Sequence, residues 1–148
     1  MCPPERTLAA RSGRSHRRRG AAPATHPGAL SPSDPRILAT IAAVEAELVE
    51  EEYVYRFRQN DGPLGDSEGA FLLGGFVVAL AKLQQGDVLR ARALLERNRS
   101  ACGTPGLFAE EYDVTQRQLR GKLPQAFVHA MFLEASAKLA DGAEPMST

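Results

Sequence analysis

Two adjacent carboxylates, Glu110 and Glu111, stand in the segment FAEEYDVTQRQLRGKLPQAFVH at residues 108–129. A carboxylate supported by amide and imidazole groups can act as a general base on water. Gln125 and His129 are four residues apart, which places both on one face of the helix that Pro124 predicts. Neighbouring side chains diverge, so one glutamate of the pair is expected to face a site while the other holds the loop. A second group lies upstream in VYRFRQNDGPLGDSEGAFLL, residues 54–73. Arg56 stands between Tyr55 and Phe57, and a guanidinium can donate several hydrogen bonds to sugar hydroxyls while aromatic rings stack on sugar faces. Glu68 is expected at a helix start, where the dipole favours negative charge, and Gly69 permits the close approach of another group. Each residue also has a plainer reading: a solvated acidic pair, an edge arginine, a helix-capping glutamate and a packing histidine. No metal set is expected, because His16 and His26 fall near the N-terminus and Cys2 and Cys102 lack ligand spacing. No phosphate loop and no nucleophile elbow occurs, and no cofactor is expected.

The elements that must position these residues read as helices. Ser33-Asp34-Pro35 is a cap followed by proline at the first helical position. Ile37, Leu38, Ile41, Val44 and Leu48 then recur at helical spacing, which predicts a helix to about Glu51 with one buried face. Residues 53–58 alternate and predict a short extended segment. A Gly- and Pro-bearing loop follows. The next helix is expected from Glu68 to about Gln84, apolar nearly all round, so other helices must enclose it. Gly74-Gly75 in its middle implies close backbone packing or relaxed constraint. Gly86-Asp87 ends that helix and caps a third, with Val88, Ala91, Leu94 and Leu95 as its stripe, ending near Asn98. Residues 99–123 are expected to be mostly irregular. The last helix runs from Pro124 to about Asp141-Gly142, with Phe127, Ala130, Met131, Leu133 or Glu134, and Ala137 turned inward. Four helices and no strand series give an all-α class. The GDVLRARALLERN helix has no second copy about 34 residues away, which argues against a tetratricopeptide array.

The 148 residues suit one domain, expected over residues 33–141, with a basic, proline-bearing disordered tail over 1–32 and a short tail over 142–148. Eighteen basic and eighteen acidic residues give a net charge of +0, which argues against nucleic-acid or membrane-surface binding by the chain as a whole. The RSHRRRG run near the start reads as a solvated tail before it reads as an anion site. No apolar run approaches the roughly 18 residues of a membrane span. Two distant cysteines read as free thiols, and a cytoplasmic location is expected.

The pieces SDPRILATIAAVEAELV, EGAF, GDVLRARALLER, AEEYD and PQAF-x-H occur in one order that resembles glycoside hydrolase family 15, the glucoamylases, glucodextranases and bacterial or archaeal trehalases. The resemblance covers roughly residues 33–140. It implies the last few helices of an (α/α)6 toroid and an inverting α-glucoside hydrolase chemistry, in which one carboxyl protonates the leaving oxygen and another activates water. It aligns Glu110 with the general base and Arg56 with a sugar-contacting arginine, and it gives Glu68, Glu111, Gln125 and His129 supporting places in substrate binding. The general acid of the family belongs to an upstream GIWE-type motif, and no such motif occurs here. The sequence departs from the family pattern at Glu52, where glycine is usual, at Gly74-Gly75, at Lys122-Leu123 and at Val128. The resemblance therefore implies a C-terminal fragment, inactive alone. The alternatives are half of a two-chain glycosidase, with a complementing chain or self-association through apolar helix faces, and a non-catalytic helical interaction module. The partner implied is an α-glucoside or oligosaccharide.

Overall fold

Asp34 accepts a hydrogen bond from the Arg36 N–H at 2.9 Å, and this capped proline start launches the first helix, α1, over Pro35–Leu48. A computed structural model describes residues 31–57 and 68–142. The expected tails lie outside the described residues, apart from Ser31, Pro32 and Gly142. So does the loop expected over 60–66.

Helix α1 stops three residues before the expected end. Val49–Glu50 forms strand β1, which pairs antiparallel with β2, Tyr53–Val54. Glu51 and Glu52 make the turn between them, with φ of 50° and 62°. Non-glycine residues seldom adopt this left-handed region. Two side chains of a later helix hold the turn in place: Arg97 Nε donates to the Glu51 carbonyl at 3.0 Å and Asn98 Nδ2 to the Glu52 carbonyl at 3.2 Å.

The second helix, α2, covers Leu72–Gln84 and so begins four residues later than expected. Ala70–Phe71 is instead strand β3, paired with β4, Glu111–Asp113. β4 pairs in turn with β5, Gln118–Arg120. The stretch expected to be irregular therefore contains a hairpin. Helix α3 spans Val88–Arg99, with Asp87 accepting from the Arg90 N–H at its start, and α4 spans Ala126–Asp141. The four expected helices are present. The two small sheets are additions to the all-α reading; Glu111 lies in β4, and Arg56, Glu68 and Glu110 each stand within two residues of a strand.

The core lies between α2, α3 and α4. Phe76, Phe108 and Phe132 form a three-ring cluster with centroids 5.2–5.5 Å apart. Phe76, Phe108, Leu72 and Leu94 are fully buried, and each such side chain contributes about 1.5–3 kcal/mol relative to exposure. Gly75 lies against the wholly buried Asn98, whose Oδ1 would stand 2.0 Å from an added Cβ. The paired glycines thus serve close packing at Gly75.

Two helix faces differ from expectation. None of the α1 residues is buried, and Leu38 is exposed. In α4 the buried residues are Val128, Ala135 and Leu139, while Phe127 is 74% and Leu133 is 65% exposed. The helix is apolar on two sides, so helical spacing alone fits either stripe. The side that packs is chosen by Phe76 and Phe108, which meet Phe132 and His129.

Candidate functional site

The β1–β2 hairpin delivers Tyr53, Val54 and Tyr55 into the core and leaves Arg56 at the surface beside β3 and β4. Three carboxylates surround the Arg56 guanidinium. Its Nε stands 3.1 Å from Glu68 Oε2, its Nη1 stands 3.6 Å from Glu110 Oε1, and its Nη2 is bonded to Glu111 Oε1. The Phe71 ring lies beneath the guanidinium, 4.8 Å from centroid to Cζ. Partial burial acts to lower the arginine's pKa, but the Glu111 hydrogen bond and the charges of Glu68, Glu111 and Glu110 outweigh it and hold the pKa above its ordinary value.

Glu110 and Glu111 both reach this one cation, contrary to the expectation that neighbouring side chains must serve different places. The guanidinium is a broad planar fork, so two carboxylates that diverge can still meet its two ends. They differ in how firmly they are held. Glu111 lies in β4, and its Oε2 also accepts the Gly69 N–H at 3.3 Å. Glu110 sits in the bend before β4, pinned by its backbone: its N–H donates to the Lys122 carbonyl at 3.2 Å and its carbonyl accepts from the Leu72 N–H at 3.3 Å. Gly121, with φ of 78°, packs against the Glu110 side chain, where a Cβ would stand 3.0 Å from Glu110 Cβ.

Glu68 is not a helix-start residue, because α2 begins at Leu72. It is a partner of Arg56. Gly69 does permit close approach, since a Cβ there would stand 2.8 Å from the Tyr112 carbonyl oxygen. Gln125 is the residue before α4, and Pro124 lies outside the helix. Gln125 donates its N–H to the Phe108 carbonyl at 2.9 Å, while His129 Nε2 accepts the Phe108 N–H at 3.1 Å. Gln125 and His129 therefore bracket Phe108, two residues before Glu110, through backbone contacts. Among the described residues neither is bonded to Arg56. Phe71 and Gly121 were not singled out from sequence. The signal for Gly121 was the glycine after QLR at a hairpin end, and for Phe71 the aromatic in EGAF.

Arg56, Glu68, Glu110 and Glu111 come from two segments far apart in the chain and meet around one guanidinium. The sequence model of the family described as glycosyl hydrolases family 15 matches residues 11–137. The chain belongs to glycosyl hydrolases family 15.

Family 15 relatives include a trehalase of Mycolicibacterium smegmatis and one of Mycobacterium tuberculosis, each 36% identical over 108 residues, or 72% of this chain and 16% of the relative. A trehalase of Thermoplasma volcanium is 31% identical over 113 residues, or 76% of this chain and 18% of the relative. The chain thus spans less than a fifth of the length of these curated relatives. No solved structure matches it. Glu52, where the family resemblance expects glycine, is one of the two left-handed turn residues, a conformation glycine adopts without strain. Val128, where it expects serine, is buried in the core. Among the described residues no helix is long and apolar enough to cross a membrane, and no group of three His, Cys, Asp or Glu could hold a metal ion.

Proposed function

We propose that this chain supplies the base-bearing, C-terminal part of an inverting α-glucoside hydrolase site, with trehalose as substrate, and does not hydrolyse sugar by itself. In this reading Glu110 is the general base. It takes a proton from the water that attacks the anomeric carbon. The observation that carries the assignment is the unequal grip on the two glutamates. Among the described residues Glu111 is bound twice, by Arg56 and by the Gly69 N–H, whereas Glu110 keeps only the 3.6 Å contact to Nη1. The looser carboxylate is the one free to accept a proton. Arg56 holds charge balance among the three carboxylates and offers its fork to sugar hydroxyls. Glu111 and Glu68 fix Arg56, and Gln125 and His129 fix Phe108 and hence the approach to Glu110.

Among the described residues the acid that would protonate the leaving oxygen has no counterpart around Arg56, where three carboxylates share one cation. Family resemblance puts that acid in a preceding motif. We therefore read the described helices as the last part of an (α/α)6 toroid, in a domain over residues 33–141. Support comes from the trehalase name of the relatives and from the small share of their length that this chain spans. Without the acid, the lost proton transfer corresponds to about 10²–10⁴-fold in rate. Purified chain, checked for folding by circular dichroism, is expected to release no glucose from trehalose, maltose or isomaltose. Release that vanishes in Glu110→Gln would overturn the claim that the chain is inactive alone.

A second reading is favoured by the exposed Phe127 and Leu133 of α4, which make an apolar face with nothing packed on it among the described residues. More helices, on a complementing chain or a second copy, would cover it and complete the site. A purely non-catalytic interaction module would use the same face. Glu110→Gln separates the two: it leaves the binding of the module intact and abolishes activity in the completed enzyme.

A further inference from the structure

Two kinds of hydrogen bond hold the stretch that carries Glu110. The Gln125 N–H to the Phe108 carbonyl, the Glu110 N–H to the Lys122 carbonyl and the Leu72 N–H to the Glu110 carbonyl join peptide to peptide, and none of these groups titrates. The Phe108 N–H is held differently, by His129 Nε2 at 3.1 Å. A peptide N–H only donates. Nε2 must therefore offer its lone pair, so the imidazole is neutral and carries its proton on Nδ1.

Packing keeps the ring in this pose. It meets the buried Phe108 ring edge-on, with centroids 5.2 Å apart, and its own backbone N–H is bonded to the Gln125 carbonyl in the first turn of α4. Charged side chains on the surrounding elements are committed elsewhere. Glu110 and Glu111 of the loop meet Arg56, Lys82 of α2 meets Glu45, and Glu134 of α4 meets Lys138. Arg92, Glu96 and Arg99 of α3 line a cavity with Ser136 and Leu139, at the other end of α4. Lys122 is exposed on the loop before α4. Among the described residues none of these forms an ion pair with His129 that would hold its proton in place of the Phe108 bond.

We propose that His129 is a proton-sensitive latch on the loop that carries Glu110. A proton added at Nε2 turns the acceptor into a donor that faces another donor. The bond then opens, the Phe108 N–H is left without its partner, and residues 108–110 loosen while the peptide–peptide bonds stay. Histidine changes charge between about pH 5 and 8, so the latch opens as the solution is acidified. His129 acts here as a positioning residue. The latch itself is a property of the fold; only its consequence for Glu110 as a base rests on the hydrolase reading, and the test below involves no turnover.

The test is nuclear magnetic resonance of the full-length ¹⁵N-labelled chain from about pH 8 to about pH 5, the range in which histidine titrates. At the upper end the ring nitrogens of His129, assigned by their loss in His129→Gln, are expected to show a protonated Nδ1 and a bare Nε2. On acidification the protection of the Phe108 amide against hydrogen exchange, relative to an unstructured chain, should fall by about tenfold, the scale of one lost hydrogen bond. Protection of the Leu94 amide, in α3, should hold. In His129→Gln the side-chain oxygen replaces Nε2 as an acceptor that does not titrate, and Phe108 protection should no longer depend on pH. A proton on Nε2 at the upper end, which needs no variant to detect, would overturn the proposal. So would Phe108 protection that is constant in the wild type, that falls equally in His129→Gln, or that falls only together with Leu94.

Discussion

Arg56 Nη1 stands 3.6 Å from Glu110 Oε1, while the other end of the same guanidinium is bonded to Glu111. One cation thus holds two sequence neighbours with different firmness. Replacing it leaves Glu68, Glu110 and Glu111 close together without a counter-charge. Arg56→Met is expected to lower stability by about 1 kcal/mol, the scale of a half-exposed ion-pair network, and the loss should shrink in high salt, where like charges are screened. Arg56→Lys should recover only part of it, because a point charge cannot serve three carboxylates at once. Urea unfolding at two salt concentrations checks both.

Gly69→Ala tests the close approach of two strands. The new Cβ would meet the Tyr112 carbonyl, which is backbone and cannot swing away. Overpacking of this kind costs about 1–3 kcal/mol. It should also disturb the β3–β4 pairing that carries Glu111. The urea midpoint is expected to fall, and an unchanged midpoint would remove this contact from the account.

The paired glycines of α2 are expected to behave differently. At Gly75 an added methyl group would collide with Asn98, whose amide is already committed to the Glu52 and Leu94 carbonyls, so Gly75→Ala should cost about 1–3 kcal/mol. At Gly74 the neighbours are the side chains of Phe71 and Val54 at 3.2 Å, which need to give way by only a few tenths of an ångström. Alanine also gains about 1 kcal/mol in helix propensity. Gly74→Ala is therefore expected to stay within about 1 kcal/mol of the wild type. Thermal denaturation of the two variants ranks them.

The raised pKa of Tyr55 sets a pH dependence. In the unfolded chain tyrosine ionises near pH 10, and in the folded chain it stays protonated to higher pH. The stabilisation is present in full below the unfolded value and is lost as pH rises through the folded value. Stability measured from pH 9 upward should fall more steeply for the wild type than for Tyr55→Phe.

Much of the helix content was legible because local signals agree with packing. Asp34-Pro35 and Asp87 cap helices as their types predict, and the stripe of Ala91, Leu94 and Leu95 is buried as spacing requires. The misses come from long-range contacts. Nothing local ends α1 at Leu48; the chain reverses there because Arg97 and Asn98 grip the carbonyls of Glu51 and Glu52. Nothing local delays α2 to Leu72; Ala70 and Phe71 are drawn into a sheet with Tyr112 and Glu111. The choice of stripe in α4 was ambiguous because Phe127 and Val128 are both apolar, and aromatic packing against Phe108 decides it. For the site, residue types left plainer readings beside Arg56, Glu68, Glu110 and Glu111 and the family resemblance selected them, but only three-dimensional pairing brings them to one guanidinium. Gln125 and His129 read as a pair on one helix face lining a pocket; Gln125 instead lies just before α4, and its N–H and the His129 imidazole hold the Phe108 backbone.

The most direct test of the account places residues 33–140 into the M. smegmatis trehalase, in place of its matching segment, and measures glucose release from trehalose with and without Glu110→Gln. The account predicts a hydrolysing chimera whose rate falls by about 10²–10⁴-fold in the variant. A folded chimera that hydrolyses equally well with glutamine at position 110 would contradict the assignment of Glu110 as the base.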